Sequence, residues 1–254
     1  MSKAFATRPF TLIETPIHRG GKDGSLDEFD RLASTMAVVH NAILRGLNSV
    51  YLQAPSAKAQ SNRASFLQYC HKWYEVVHAH HSHEEAELFP QIERICGEDR
   101  IMSANVQQHQ AFEGGIQMYA AYVEECIQDP ASFQPAKLTS IIDGFGKELS
   151  THLADEVENL RGLRKFGEAK GVEIHKAIND GGADQLKNAG LFGAVPFVLA
   201  AHDLEFEDGM WAHFPPAPSA LLWLIRNVIW HVHRDWWKFA PCDSSGRMRE
   251  LETV

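Results

Sequence analysis

Cysteine is scarce: four residues, at 70, 96, 126 and 242, with no CxxC pair among them. That spacing excludes a thiolate zinc site and a disulfide scaffold, and Cys70 and Cys126, which fall in apolar helical patterns, read as buried thiols. Basic residues are outnumbered, 24 Lys and Arg against 33 Asp and Glu for a net charge of −9, and they form few runs. Nucleic acid is met by clustered Lys and Arg, so no DNA or RNA partner is expected. No stretch of about twenty residues is free of charge, and the opening MSKAFATRPFTLIETP lacks the apolar core of a secretory signal. The expectation is a cytoplasmic protein with no membrane segment. Strand-like alternation of useful length and low-complexity tracts are missing too, which leaves helix as the default.

What is abundant is histidine, fourteen residues, and two of them interrupt apolar helix faces together with an acid. Cys70, Trp73 and Val77 form a stripe that continues through His80 and Glu84 to Leu88. Leu138, Ile142, Phe145 and Leu149 form another, which runs into His152 and Glu156 and resumes at Leu160 and Leu163. Residues four apart share a helix face, so each pair aims at one spot in the core. A buried carboxylate is too costly without a cation or strong hydrogen bonds. A single HxxxE proves little, because 33 acids in 254 residues put one four places after a histidine about one time in eight; His71 with Glu75 and His83 with Glu87 read as solvated surface. The repetition is the signal.

The length suits one large domain or a domain with an extension. Residues 1–24, rich in Pro, Gly and charge, read as an irregular lead-in. A first helix is expected from Ser25, which with Glu28 makes an S-x-x-E capping box, and carries Phe29, Leu32, Met36, His40, Ile43, Leu47 and Val50 on its inner face. A polar linker at 56–62 leads to a second helix ending near Cys96, with Gly97 as its stop. The third runs from about Ser103 to Gln128, with Met102, Val106, His109, Ile116, Val123 and Ile127 on one face. The fourth runs from Pro135 to about Phe166. The expected fold is all-α: an up-and-down four-helix bundle over 25–166, with a helical, Trp-rich extension over 167–254 packed on it. In that extension 168–180 reads as a short helix broken by Gly181 and Gly182, 185–201 as another, and 219–238 as a helix carrying Trp223, Trp230, Trp236 and Trp237.

One ligand set per helix gives His40, His80 with Glu84, His109, and His152 with Glu156. Six side chains exceed one tetrahedral zinc and suit two ions bridged by carboxylates, with positions left for water, oxo or hydroxo groups or an exogenous ligand. Imidazole with carboxylate favours iron, with manganese or zinc as alternatives. Each histidine also has a plainer reading: His40 and His109 as core histidines bonded to backbone, His81 with Glu85 as a competing HxxxE register. Glu113 reads as surface or as a group orienting a ligand. In the extension, His202, Asp203, His213, His231 and His233 read as packing or surface residues.

These residues resemble the hemerythrin-like, or HHE cation-binding, domains. The resemblance rests on an isolated His in the first helix (His40), HxxxEExxLFP in the second (His80, Glu84, Glu85, Leu88, Phe89, Pro90), His109 in the third and HxxxE in the fourth (His152, Glu156), and covers about residues 27–166. It implies a non-haem di-iron centre in a four-helix bundle. Members bind or sense O2 or NO, store or donate iron, or catalyse oxidation. Oxygen carriers of the family place a second histidine four residues before the third-helix ligand, and here that position is Asn105. The fourth helix reads ENLRGL in place of the LFP ending. The six-ligand set is thus similar to divergent members implicated in NO handling, repair or oxidation, and the long extension resembles that of fungal hemerythrin-like proteins. The leading expectation is a di-iron protein that binds O2 or NO at an open coordination position. The alternatives are an oxidase or oxygenase whose small organic substrate sits in a pocket closed by the extension, and an iron store or donor.

Overall fold

The computed structural model of the chain describes residues 4–20, 26–188 and 193–253. Regular structure among them is helical, apart from two isolated antiparallel bridges that pair Ala4 with Leu251 and Cys242 with Met248. The lead-in is irregular as far as a short α1 (Pro16–Gly20). Two buried asparagines of α2 (Glu28–Gln53) hold it. The Asn41 amide accepts from the Ile13 N–H and donates to the Ile13 carbonyl, and Asn48 does the same for Phe10 while also donating to the Ala6 carbonyl. Ser25 lies outside the described residues. Asp27 is the N-cap of α2, its carboxylate accepting from the Asp30 N–H.

The polar linker holds one helical turn, α3 (Ala57–Ser61), capped by Ser56. The second long helix is α4 (Arg63–His83), a π turn (Glu84–Leu88) and α5 (Phe89–Cys96), closed by Gly97 in the left-handed region at φ 71°. Pro90 accounts for the π turn. Its ring would crowd the carbonyl of Ala86 in a regular helix and it has no N–H to offer, and the wider turn relieves both faults. α6 (Ser103–Gln128) matches the third expected helix.

The fourth expected helix is broken, a correction to the continuous 135–166 reading. It consists of α7 (Pro135–Asp143), a break at Gly144 and Phe145, α8 (Gly146–Gly162) and a 3-10 turn (Leu163–Phe166). The break turns Phe145 into the core, stacked on Trp73 at 6.1 Å between ring centroids and so near α6 that a Cβ on Gly115 would lie 2.5 Å from it. Helix α2 packs on α8 and α4, and α6 packs on α4 and α8, which closes the up-and-down bundle.

Two separate apolar clusters fill that bundle. One contains Phe66, Tyr69, Trp73, Val77, Tyr119, Phe145, Leu149 and Leu153. The other contains Phe29, Leu32, Met36, Leu88, Phe89, Met102, Val157 and Leu160. Along α2, α4, α6 and α8 the histidines and acids singled out above fall between the two, so a polar layer is sealed at both ends by burial of hydrocarbon.

The extension packs on one side of the bundle. Its first helix, α9 (Glu168–Asn188), runs straight through Gly181 and Gly182, against the expected break. The reason is close packing: a Cβ on Gly181 would sit 2.5 Å from the His83 ring. α10 (Val195–Ala201) presses Phe197 onto α2 at Gly46, where a Cβ would lie 2.6 Å from Phe197 and 2.9 Å from Trp73. The expected helix over 219–238 is α11 (Ser219–Asn227) followed by two 3-10 segments. In a continuous helix Trp230 and Trp237 would stand about 10 Å apart along the axis; the break buries them together, centroids 5.8 Å apart. Trp223 stays exposed. Among the described residues no helix is long and apolar enough to cross a membrane.

Candidate metal centre

Helical geometry explains how three residues of α4 and its π turn share one site. With 100° per residue, Glu84 lies 40° from His80 and 60° from His81 around the axis, between the two. His80 is turned toward α2, His81 toward α6, and one carboxylate stands in the middle. The side chains form two groups: His40, His80, Glu84 and Glu156 in one, His81, Glu84, His109 and His152 in the other, with the donor atoms of each group all within 4.8 Å of one another. Glu84 is common to both. Its Oε1 faces His80 Nε2 at 3.1 Å and its Oε2 faces His109 Nε2 at 3.7 Å. Glu156 Oε2 lies 3.4 Å from His40 Nε2 and 3.7 Å from His152 Nε2.

Within each group two imidazoles meet edge to edge, His40 Nε2 with His80 Nε2 at 3.0 Å and His109 Nε2 with His152 Nε2 at 2.9 Å. Two ligands at right angles on an ion about 2.1 Å from each stand about 3 Å apart. The outward nitrogens are fixed. His40 Nδ1 is held at 2.7 Å from the Leu153 carbonyl, His109 Nδ1 at 2.7 Å from Glu85 Oε1, and His152 Nδ1 at 3.1 Å from Gln108 Oε1, whose amide in turn donates to Asp155. With those Nδ1 atoms as donors, the Nε2 lone pairs point inward, ready for a cation.

The electrostatics favour a cation as well. All four carboxylate oxygens of Glu84 and Glu156, and Nε2 of His81, are buried with no hydrogen-bond partner. Burial, and then the neighbouring Glu156 carboxylate, push the Glu84 pKa well above the usual range. Burial acts on Glu156 in the same sense, but the closeness of His40, with His152 and His80 beyond, outweighs it and holds Glu156 at about 2. Burial lowers His80 and His81 well below the ordinary imidazole value, the adjacent histidines adding to it, and brings His152 to about 3. Neutral imidazoles and two close carboxylates are a donor set for a divalent ion.

This arrangement decides the family. The hemerythrin HHE cation binding domain family matches residues 31–163, just over half of the chain. The chain is a member of the hemerythrin HHE family. It is also similar to the dimeric xanthone biosynthesis cluster protein R11 of Cryptosporiopsis sp. (strain 8999), 32% identical over 96% of this chain and 90% of that relative. No solved structure matches.

All six side chains expected from the sequence are in the two groups, and a seventh joins them. His81, expected only as part of a competing register, enters beside His80, and its supposed partner Glu85 turns to His109 instead. The signal was present as HHxxE, a pattern in which one acid is reachable from both histidines. Asn105 does not join; it is buried and accepts from Asn159. Glu113 is exposed and bonded to Gln117. His202 is buried with Nε2 on the Trp211 carbonyl, and His233 stacks on Trp236; neither is in a metal-binding group.

Proposed function

We propose that this HHE protein is a cytoplasmic non-haem di-iron protein whose centre binds O2, or NO, at an open coordination position. The observation that carries the reading is the pair of four-residue groups joined through Glu84. Seven side chains, even with both carboxylates shared, leave positions free on two six-coordinate ions. His40, His80 and Glu156 would hold one ion, His81, His109 and His152 the other, and Glu84 would bridge them. Ferrous ions held there would supply electrons to a diatomic ligand. Leu153, Glu85 and Gln108 keep three of the imidazoles oriented, and the apolar clusters on either side keep bulk water out.

The test is the optical spectrum of the iron-quantified, anaerobically reduced protein as O2 is admitted and then removed. A charge-transfer band that appears and reverses supports the binding reading. A protein that takes up no iron, or whose spectrum ignores both O2 and NO, refutes it. Iron that exchanges freely into a chelator would favour a store or donor.

A second reading, a di-iron oxidase or oxygenase acting on a small organic substrate, is favoured by two observations. A cavity of about 700 Å³ with mostly apolar walls lies between the bundle and the extension, a volume typical of small-molecule sites. The relative named for a dimeric xanthone biosynthesis cluster is matched through the extension as well as the bundle. A one-way change of the spectrum, with O2 consumed faster when substrate is present, would select this reading.

A further inference from the structure

We infer that the cavity between bundle and extension is a binding site for a flat hydroxyaromatic molecule, its ring system toward α10 and its hydroxyl toward α9. The inference rests on the second reading above and gives its substrate a class. The floor of the cavity is the groove between α2 and α4: Thr35 and Val39 from one side, Val76, Ala79, Ser82, His83, Ala86 and Glu87 from the other. The walls are α9, through Ile178, Asn179 and Gly182, and α10, through Val195 and Val198. A lip is formed by Phe214, Pro215 and Pro216.

The lining is polarised. Thr35, Ser82, His83, Glu87 and Asn179 gather at the α9 end, because α2 and α4 run antiparallel and these are the positions of each nearer to that helix. Val39, Val76, Ala79, Val195, Val198 and the Pro-rich lip make the other end almost wholly apolar. Small residues, Ala79, Ala86 and Gly182, flatten the space where bulkier ones would fill it. An apolar slot with hydrogen-bonding groups at one end selects an aromatic body carrying a hydroxyl, and rejects both plain hydrocarbons and charged metabolites. The slot also lies against the proposed centre: Val39, Ala79 and His83 each precede His40, His80 or Glu84 by one residue, so the same two helices present lining residues on one face and ligands on the next. His83 is fixed for its role by Gly181, which leaves room for the ring and nothing more.

The experiment is equilibrium binding of 2-naphthol and of naphthalene to the full-length chain, metal-free and iron-loaded, followed by ligand fluorescence. The expected result is saturable binding of one 2-naphthol per chain, at least tenfold tighter than naphthalene. Val198→Trp on a wall and Ala86→Phe on the floor fill the slot and each lower 2-naphthol binding more than tenfold. His83→Ala brings 2-naphthol to the level of naphthalene. Absence of saturable binding, or binding that ignores both filling variants when their circular dichroism is unchanged, overturns the inference. Binding without any stimulation of O2 uptake upholds the site while refuting the oxidase reading, and O2 chemistry without naphthol binding does the reverse.

Discussion

The two halves of the candidate centre are built from similar side chains but sit in different surroundings. His40, His80 and Glu156, on the α2 side, are buried, and His40 is oriented by a main-chain carbonyl. On the α6 side His109 and His152 are oriented by side chains, by Glu85, which is itself 43% exposed, and by the half-buried Gln108. One half is anchored through His40 to backbone inside the core, the other to side chains that are only partly buried. The comparison teaches that equal ligand sets need not be equal sites: the inner half is set by folding, the outer half can be adjusted residue by residue and lies nearer to solvent, where a diatomic ligand or an exchanging ion would enter.

The largest effect expected is from the residue common to both halves. Glu84→Gln removes the bridging charge and should reduce metal content from two ions per chain to less than one by elemental analysis, with Glu156→Gln next in severity; retention of two ions in both variants would sink the assignment. Separate halves then predict separate losses. His81→Ala should cost one ion and leave a stable mononuclear protein. His40→Ala should lose an ion as well and also lower the melting temperature, because it opens the sealed core; equal behaviour of the two variants would erase the distinction. Smaller again is Glu85→Gln, which loosens His109 without removing a ligand and should weaken the outer ion about 10–100-fold in a chelator competition, leaving the inner ion untouched.

The smallest effect lies outside both halves and serves as a control on stability. Asp30 of α2 accepts from Arg161 and Arg164 at 2.9 and 3.0 Å. Partial burial raises its pKa, but the two guanidiniums outweigh it, so the folded value is below the ordinary one. The stabilisation is therefore complete above the unfolded value and lost as pH falls through the lower, folded one. Asp30→Asn should cost about 1–2 kcal/mol in urea unfolding at pH 7 with no change in metal content, and the difference from the unaltered protein should shrink below pH 4.

How much of this was legible in the sequence depended on regularity. The stripes through Trp73 and Leu149 located their helices and four of the inward side chains, and the faces of the first and third helices added His40 and His109, because a helix that buries one face writes its period into the chain. His81 was missed because it lies off the stripe of His80, and only the position of Glu84 between them reveals it. The break at Phe145 and the passage of α9 through Gly181 escaped for a related reason: both answer to a particular neighbour, Trp73 in one case and the His83 ring in the other, rather than to any local propensity. In the extension the Trp-rich segment follows the contour of a surface already formed, and no internal period could announce where Trp230 and Trp237 would meet.

The π turn at Glu84–Leu88 is, in backbone terms, a single-residue insertion into an otherwise continuous helix. Because the wide turn absorbs its extra residue within one winding, deleting one there, Ala86 for instance, would restore a regular spiral with the residues after it still on their present faces. Leu88, Phe89 and Ile92 would keep facing the core, but the Pro90 ring would again collide with a carbonyl. The added residue thus serves the proline rather than the register, so a lineage could gain or lose it in one codon while the helix on either side keeps its faces.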